Sequence, residues 1–97
     1  MNYSLHGGAE LDLLEAARFY RQEGGPKLAG QFLDEYARVV ALLVEFPGLG
    51  RPADDVRRVH LLPDFPFSVI YRQEGHGIRV LVVRSQSRDP AHGESRL

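Results

Sequence analysis

The sequence has no cysteine, no tryptophan, a single lysine, and no apolar run near the roughly eighteen residues that a membrane-spanning helix requires. Without cysteine, disulfides, thiolate zinc sites and cysteine nucleophiles are excluded together. The start, Met1-Asn2-Tyr3-Ser4-Leu5-His6, carries neither a basic region nor an apolar stretch, so no signal peptide is expected and the cytoplasm is the expected location. A surplus of charge is also missing. At net −1 the chain exerts no strong pull on nucleic acid or anionic lipid, and neither direct nucleic-acid binding nor a membrane partner is expected. What is present, 97 residues with 43% apolar and 26% charged, is the composition of one globular domain spanning residues 1–97, with polar residues 89–97 expected to fray.

Charge is unevenly placed. Residues 1–50 carry four basic and seven acidic groups, whereas residues 51–97 carry eight basic and six acidic, so any anion-facing surface belongs to the second half. The histidines His6, His60, His76 and His92 have no metal-like spacing, and no metal site or cofactor is expected. Gly48-Leu49-Gly50-Arg51-Pro52 offers two glycines of a dinucleotide loop, but it follows a helical pattern and runs into proline, which makes it a turn. Asp54 and Asp55 adjoin that turn and read as turn residues rather than as a catalytic carboxylate pair.

Apolar residues at Ala9, Leu13, Ala16, Ala17 and Tyr20 predict an amphipathic helix. Gly24-Gly25-Pro26 then provides a helix exit and a new start, and Leu28, Phe32, Tyr36, Val39, Leu43 and Phe46 predict a second helix up to Pro47-Gly48. Beyond Pro52 the period shifts to that of strands, at Val56–Leu62, Phe67–Arg72 and Ile78–Val83, with Tyr3-Ser4-Leu5 as a short addition. Glu74-Gly75-His76-Gly77 has hairpin chemistry. The fold class expected is α+β: an N-terminal two-helix hairpin packed on a small three- to four-stranded antiparallel β-sheet. Strand 78–83 is apolar on both of its alternating sets, Ile78/Val80/Val82 and Arg79/Leu81/Val83. One helical layer covers one sheet face, so the second face needs cover from loops, a second copy or a dedicated partner.

Arg57, Arg58, Tyr71, Arg72, Arg84, Ser85, Gln86 and Arg88 form the most informative constellation. If the strands pair in order, their guanidinium groups converge near one sheet edge as a cationic patch, or form a solvated rim balancing Asp54, Asp55, Asp64 and Asp89.

The order of several short segments resembles the RelE/ParE superfamily of toxin–antitoxin toxins, and its ParE branch more closely. These segments are His6-Gly7-Gly8-Ala9-Glu10-Leu11-Asp12, Ala16-Ala17-Arg18-Phe19-Tyr20, Phe46-Pro47-Gly48-Leu49-Gly50-Arg51-Pro52, Val56-Arg57-Arg58, Asp64-Phe65-Pro66-Phe67-Ser68-Val69-Ile70-Tyr71-Arg72, Val80-Leu81-Val82-Val83 and Arg88-Asp89-Pro90. The resemblance implies a cytoplasmic bacterial toxin neutralised by a cognate antitoxin, whose C-terminal helix or strand would cover the apolar sheet surface. ParE-like members poison DNA gyrase and RelE-like members cleave mRNA in the ribosome. The chain departs from the pattern at Ser85, where many relatives have His, and at Ala91-His92-Gly93, where aromatic residues are usual.

Three functions therefore stand. The first is a gyrase inhibitor acting by binding, since no catalytic constellation is convincing. The second is a non-toxic, antitoxin-binding autoregulator. The third is a ribosome-dependent mRNA endonuclease, for which Arg57, Arg84 and Arg88 would hold the phosphate and Tyr71 or His92 would move protons. Arg57, Arg58, Arg84, Ser85, Gln86 and Arg88 are the expected target-binding patch. Leu81, Val83, Phe32 and Tyr36 are the expected antitoxin contacts. Without antitoxin a homodimer is expected through the uncovered apolar surface.

Overall fold

Residues Gly7–Glu45 form one helical element, α1. Laid straight, its 39 residues would run about 58 Å, yet the longest dimension of the molecule is 37 Å. The element therefore folds back on itself, and it does so at Gly25. There φ is +82° and ψ −179°, a conformation open essentially to glycine alone, and Pro26 restarts the helix. The ring centroids of Tyr20 and Phe32, one on each limb, lie 5.2 Å apart. The two expected helices are thus limbs of one continuous element that reverses at a single residue.

The computed structural model describes residues 2–87 and 91–96. Around α1 the chain runs through β1 (Asn2–Leu5), β2 (Arg51–Pro52), β3 (Arg57–Leu61), β4 (Phe67–Glu74) and β5 (Gly77–Ser85). They form one five-stranded sheet in the order β1-β5-β4-β3-β2. The sheet is mixed rather than wholly antiparallel, because β1 lies parallel to β5, with Tyr3 opposite Ile78 and Leu5 opposite Val80. The short β2 adds a fifth strand, and Pro52 is tolerated there because the strand is an edge. Gly75, at φ +58°, makes the two-residue β4–β5 turn with His76.

The limbs of α1 bury Ala9, Leu13 and Ala16 together with Phe32, Tyr36, Val39 and Leu43 against one sheet face, which supplies Leu62, Phe67, Val69, Tyr71, Ile78, Val80 and Val83. Tyr71 is wholly buried; its hydroxyl donates to the Pro47 carbonyl (2.8 Å) and accepts from the Gly50 N–H (2.9 Å). This fixes the 47–50 turn to the sheet, and it demands glycine at 50, where a Cβ would stand 2.6 Å from that hydroxyl.

The second sheet face departs from strict alternation. Ile70 pairs with Val82 but Tyr71 with Val80, so Leu81 is an extra residue in β5. Such a bulge turns two successive side chains the same way. Leu81 and Val82 therefore join Val59 and Ile70 in a separate cluster, while Val83 passes to the helical side. The expected need for a partner over this face is not met by what the structure shows, for Leu81 and Val82 are buried by the chain itself. Gly93, at φ +77°, lies so close to Val82 that a Cβ there would stand 2.5 Å from Cγ2, and Arg96 donates to the Leu81 carbonyl (3.2 Å). Of the segment expected to fray, Ala91–Arg96 turns back over the sheet, and Asp89, Pro90 and Leu97 lie outside the described residues.

Candidate partner-binding site

A β-strand with no neighbour leaves its N–H and C=O groups unpaired, and β5 has this problem beyond Val80, where β1 has ended. Asp12 resolves it. The residue sits on the inner stripe of α1 between Ala9 and Ala16, and its Oδ2 accepts from the Val83 N–H (3.0 Å) and from Arg96 Nη1 (2.7 Å). Its Oδ1 accepts from His92 Nε2 (2.8 Å). Burial works against the charged carboxylate, but the Arg96 and His92 hydrogen bonds, the Val83 N–H and the Arg96 charge outweigh it and hold the Asp12 pKa below the usual value.

Two concavities border this frame and a third lies apart from it. A cleft of about 350 Å³ lies between the first limb of α1 and the open β5 edge, lined by Asp12, Glu15 and Phe19 on one side and Val83, Arg84 and Ser85 on the other. A second, of about 320 Å³, opens on the outer sheet face among Val56, Arg57, Arg72, Leu81 and Arg96. The third, about 570 Å³, is a groove between the limbs of α1 on the side away from the sheet, lined by Leu14, Ala17, Ala29, Gly30 and Leu33. Leu14 is 56% exposed and Leu33 42%, with Leu11 and Phe19 also exposed on α1. Arg18, Arg21 and Pro26 complete the groove's lining, so exposed leucines there sit beside two guanidinium groups.

Among the described residues the expected arginine patch is divided: Arg57 stands opposite Arg72, while Arg58 and Arg84 lie elsewhere. Arg57 and Arg58, adjacent in a strand, point to opposite faces. Arg57 binds Asp54 through Nε (2.8 Å) and Nη2 (2.7 Å) and the Glu94 carbonyl through Nη1 (2.6 Å). Arg58 donates to the Gly50 carbonyl (2.8 Å). Arg84 pairs across from Ser68, four residues and about 13 Å along β4 from Arg72, the partner of Arg57. Ser85 bonds Ser87 (2.9 Å), Gln86 is exposed with its N–H on the Pro66 carbonyl (2.8 Å), and Arg88 lies outside the described residues.

The expected antitoxin contacts are likewise enclosed. Phe32, Tyr36, Leu81 and Val83 are all buried, Phe32 within a ring cluster with Tyr20, Phe65 and Phe67, and Tyr36 against the Tyr3 hydroxyl. Phe32 and Tyr36 form core because the second limb of α1 turns them onto the sheet, where Val83 meets the same cluster, whereas Leu81 is buried in the separate cluster on the outer face. The proton-transfer candidates do not converge: Tyr71 is sealed on the helical side and His92 is held by Asp12, while Arg57 belongs to the outer cleft. Asp54 acts in its turn, accepting from the Val56 and Arg57 N–H groups (2.9 and 2.7 Å), and these bonds with the Arg57 side chain bring its carboxyl down to about 2. Asp12, Arg79 and Arg96 were not singled out from the sequence. The readable signal was at Asp12 alone, an acid on an otherwise apolar stripe.

The family model for the ParE toxin of the type II toxin–antitoxin system parDE matches residues 3–90. The chain belongs to the ParE toxin family. Among solved structures it is similar to a chain from the chromosomal ParDE toxin–antitoxin system of P. aeruginosa, with a TM-score of 0.76 and 26% identity over 88% of this chain and 95% of that one. No curated protein matches it. As a ParE family member the chain has a cognate antitoxin as its implied partner. No helix among the described residues is long and apolar enough to cross a membrane.

Proposed function

We propose that this ParE family chain is a cytoplasmic toxin that inhibits DNA gyrase by binding, and that its antitoxin neutralises it by laying an amphipathic helix in the groove between the limbs of α1. The family match over residues 3–90 carries the reading. The groove supports the docking mode, since Leu14 and Leu33 flank small residues at Ala17, Ala29 and Gly30 that let a helix approach closely. Of the expected target patch, Arg84 and Ser85 both line the cleft at the open β5 edge, which supports that cleft as the target contact. Inhibition without chemistry accords with the separation of Tyr71, His92 and Arg57, which leaves the endonuclease reading without a placed acid and base.

Purified protein is expected to inhibit gyrase supercoiling at micromolar concentration, and antitoxin is expected to reverse it. Leu14→Glu is expected to weaken antitoxin binding by about 10–100-fold, the equivalent of one leucine side chain losing its burial. Unimpaired supercoiling would remove the gyrase reading, and unchanged antitoxin affinity would remove the groove. One observation favours a second reading, that of a non-toxic antitoxin-binding autoregulator: segment 91–96, where the sequence leaves the family pattern, is committed to contacts within the chain. Growth arrest on expression without antitoxin excludes it. The exposed groove also predicts self-association of the isolated toxin, read by light scattering.

A further inference from the structure

Gly30 lies one turn into the second limb of α1 and keeps helical angles there. Glycine weakens a helix interior relative to alanine, so its presence calls for a reason. The chain's own packing gives none. A Cβ at Gly30 would meet no atom within 4 Å, whereas one at Gly50 would stand 2.6 Å from the Tyr71 hydroxyl. The space above Gly30 opens into the groove between the limbs, where Leu14 and Leu33 stand half-exposed.

The same groove collects cations. Residues 1–50 hold four basic side chains, and two of them, Arg18 and Arg21, line it. Both are exposed, neither is paired with an acid among the described residues, and no lining residue is acidic. They sit on one face of the first limb, and Arg21 with Pro26 marks the end of the groove beside the reversal at Gly25. The groove thus offers accessible apolar surface, a hollow and two free guanidinium groups at one end.

We propose, resting on the reading of this groove as the antitoxin site, that the helix it receives is acidic: it seats a large apolar side chain over Gly30, between Leu14 and Leu33, and sets carboxylates against Arg18 and Arg21. Gly30 admits the apolar side chain because it has none of its own to fill the hollow, and small residues at a helix–helix contact bring the two axes closer. Carboxylates three or four residues apart on one face of the partner helix reach successive guanidinium groups on α1, each fork taking one carboxylate. A helical peptide fits this surface better than nucleic acid does, since two cations beside exposed leucines match no run of phosphates.

The test measures the affinity of the full chain for the cognate antitoxin and for two helical peptides, each with a leucine seam flanked by glutamate in one and by glutamine in the other. Gly30→Leu is expected to leave the thermal midpoint no lower than the parent's, because its side chain enters open space from a helical position, while antitoxin affinity falls about tenfold or more. Arg18→Gln combined with Arg21→Gln is expected to lower affinity for the antitoxin and the Glu peptide by about threefold to tenfold, less so at high salt, and to bring the Glu peptide to the level of the Gln peptide. Arg51→Gln, exposed on β2, is expected to change nothing. A folded Gly30→Leu that binds antitoxin as the parent does, or equal affinity of the parent for the two peptides, overturns the proposal. If Leu14→Glu weakens antitoxin binding while the Gly30 and arginine variants do not, the groove stands and only the acidic helix falls; if none of them weakens it, the groove reading falls as well.

Discussion

Asp12→Ala is expected to destabilise the protein by about 2–4 kcal/mol and to free segment 91–96 from the sheet. The magnitude follows from what the carboxylate holds. Its side chain is 6% exposed and Arg96 17% exposed, so the pair is largely enclosed. Removing one member of a buried pair costs about 3–5 kcal/mol, a range discounted here because Arg96 retains some access to water. The Val83 N–H also loses its acceptor, at about 1–3 kcal/mol, since on the edge of β5 away from β4 the β1 pairing has ended at Val80. These costs overlap, because one displaced tail accounts for part of both. In a domain of this size the loss corresponds to a fall in Tm of roughly 10–25 °C. Circular dichroism gives the midpoint, amide exchange at Val83 reports the open edge, and limited proteolysis reports release of the tail. Asp12→Asn, which keeps an acceptor for Val83 without the charge, is expected to fall between the two. A melting temperature within about 2 °C of the parent, with Val83 still protected, would refute the assignment of Asp12 as the clasp.

The remaining predictions concern turns and acid. Gly25→Ala should cost about 1–3 kcal/mol in thermal unfolding although its Cβ would touch nothing, because only the backbone angle forbids it; Gly30→Ala, helical and equally open, should instead stabilise by about 0.5–1 kcal/mol. Tyr71→Phe strands the Gly50 N–H and the Pro47 carbonyl and should cost about 1–3 kcal/mol, read as a lower denaturation midpoint with unchanged m-value. Asp12 and Asp54 both have folded pKa values below those of the unfolded chain, so their contributions are complete above roughly pH 4 and are lost as pH falls through the folded values, near 2 for Asp54. The acid limb of a stability–pH profile should therefore be shallower in Asp12→Ala than in the parent.

The sequence made some of this legible. Helical spacing located both limbs of α1, and Gly25-Pro26 marked the place where they reverse; what periodicity could not show was that one glycine suffices, with no loop between helices. The three main strands and the β4–β5 turn were readable from alternation and Gly75. The parallel β1–β5 pairing was not, because Tyr3-Ser4-Leu5 carries no mark of its distant partner. Nor was the bulge at Leu81: in Val80-Leu81-Val82-Val83 every residue is apolar, so a one-residue slip leaves no trace in the pattern. The row of arginines across the sheet had the same obstacle. Arg57, Arg72 and Arg79 become neighbours through register, which depends on where each turn ends.

That bulge also decides where a partner has apolar surface to meet. A strand apolar on both sides suggests an uncovered face, but here the second face closes with the chain's own material, Gly93 over Val82 and Arg96 across Leu81, clasped by Asp12 from the helical side. Outside the sheet and its loops, where Val56 and Leu61 are exposed, uncovered apolar side chains lie on α1. A helical layer one element thick must bury one stripe on the sheet, and any leucine on its other side faces water unless something is laid over it. Leu11, Leu14, Phe19 and Leu33 are on that exposed side, two of them flanking a groove between limbs with small residues at its floor. A partner that docked on the sheet would first have to displace the Asp12 clasp, whereas one that docked on α1 would displace only water. Antitoxin binding is therefore expected to survive Asp12→Ala in any fraction that remains folded and to be weakened by Leu14→Glu, and the reverse pattern would place the antitoxin on the sheet.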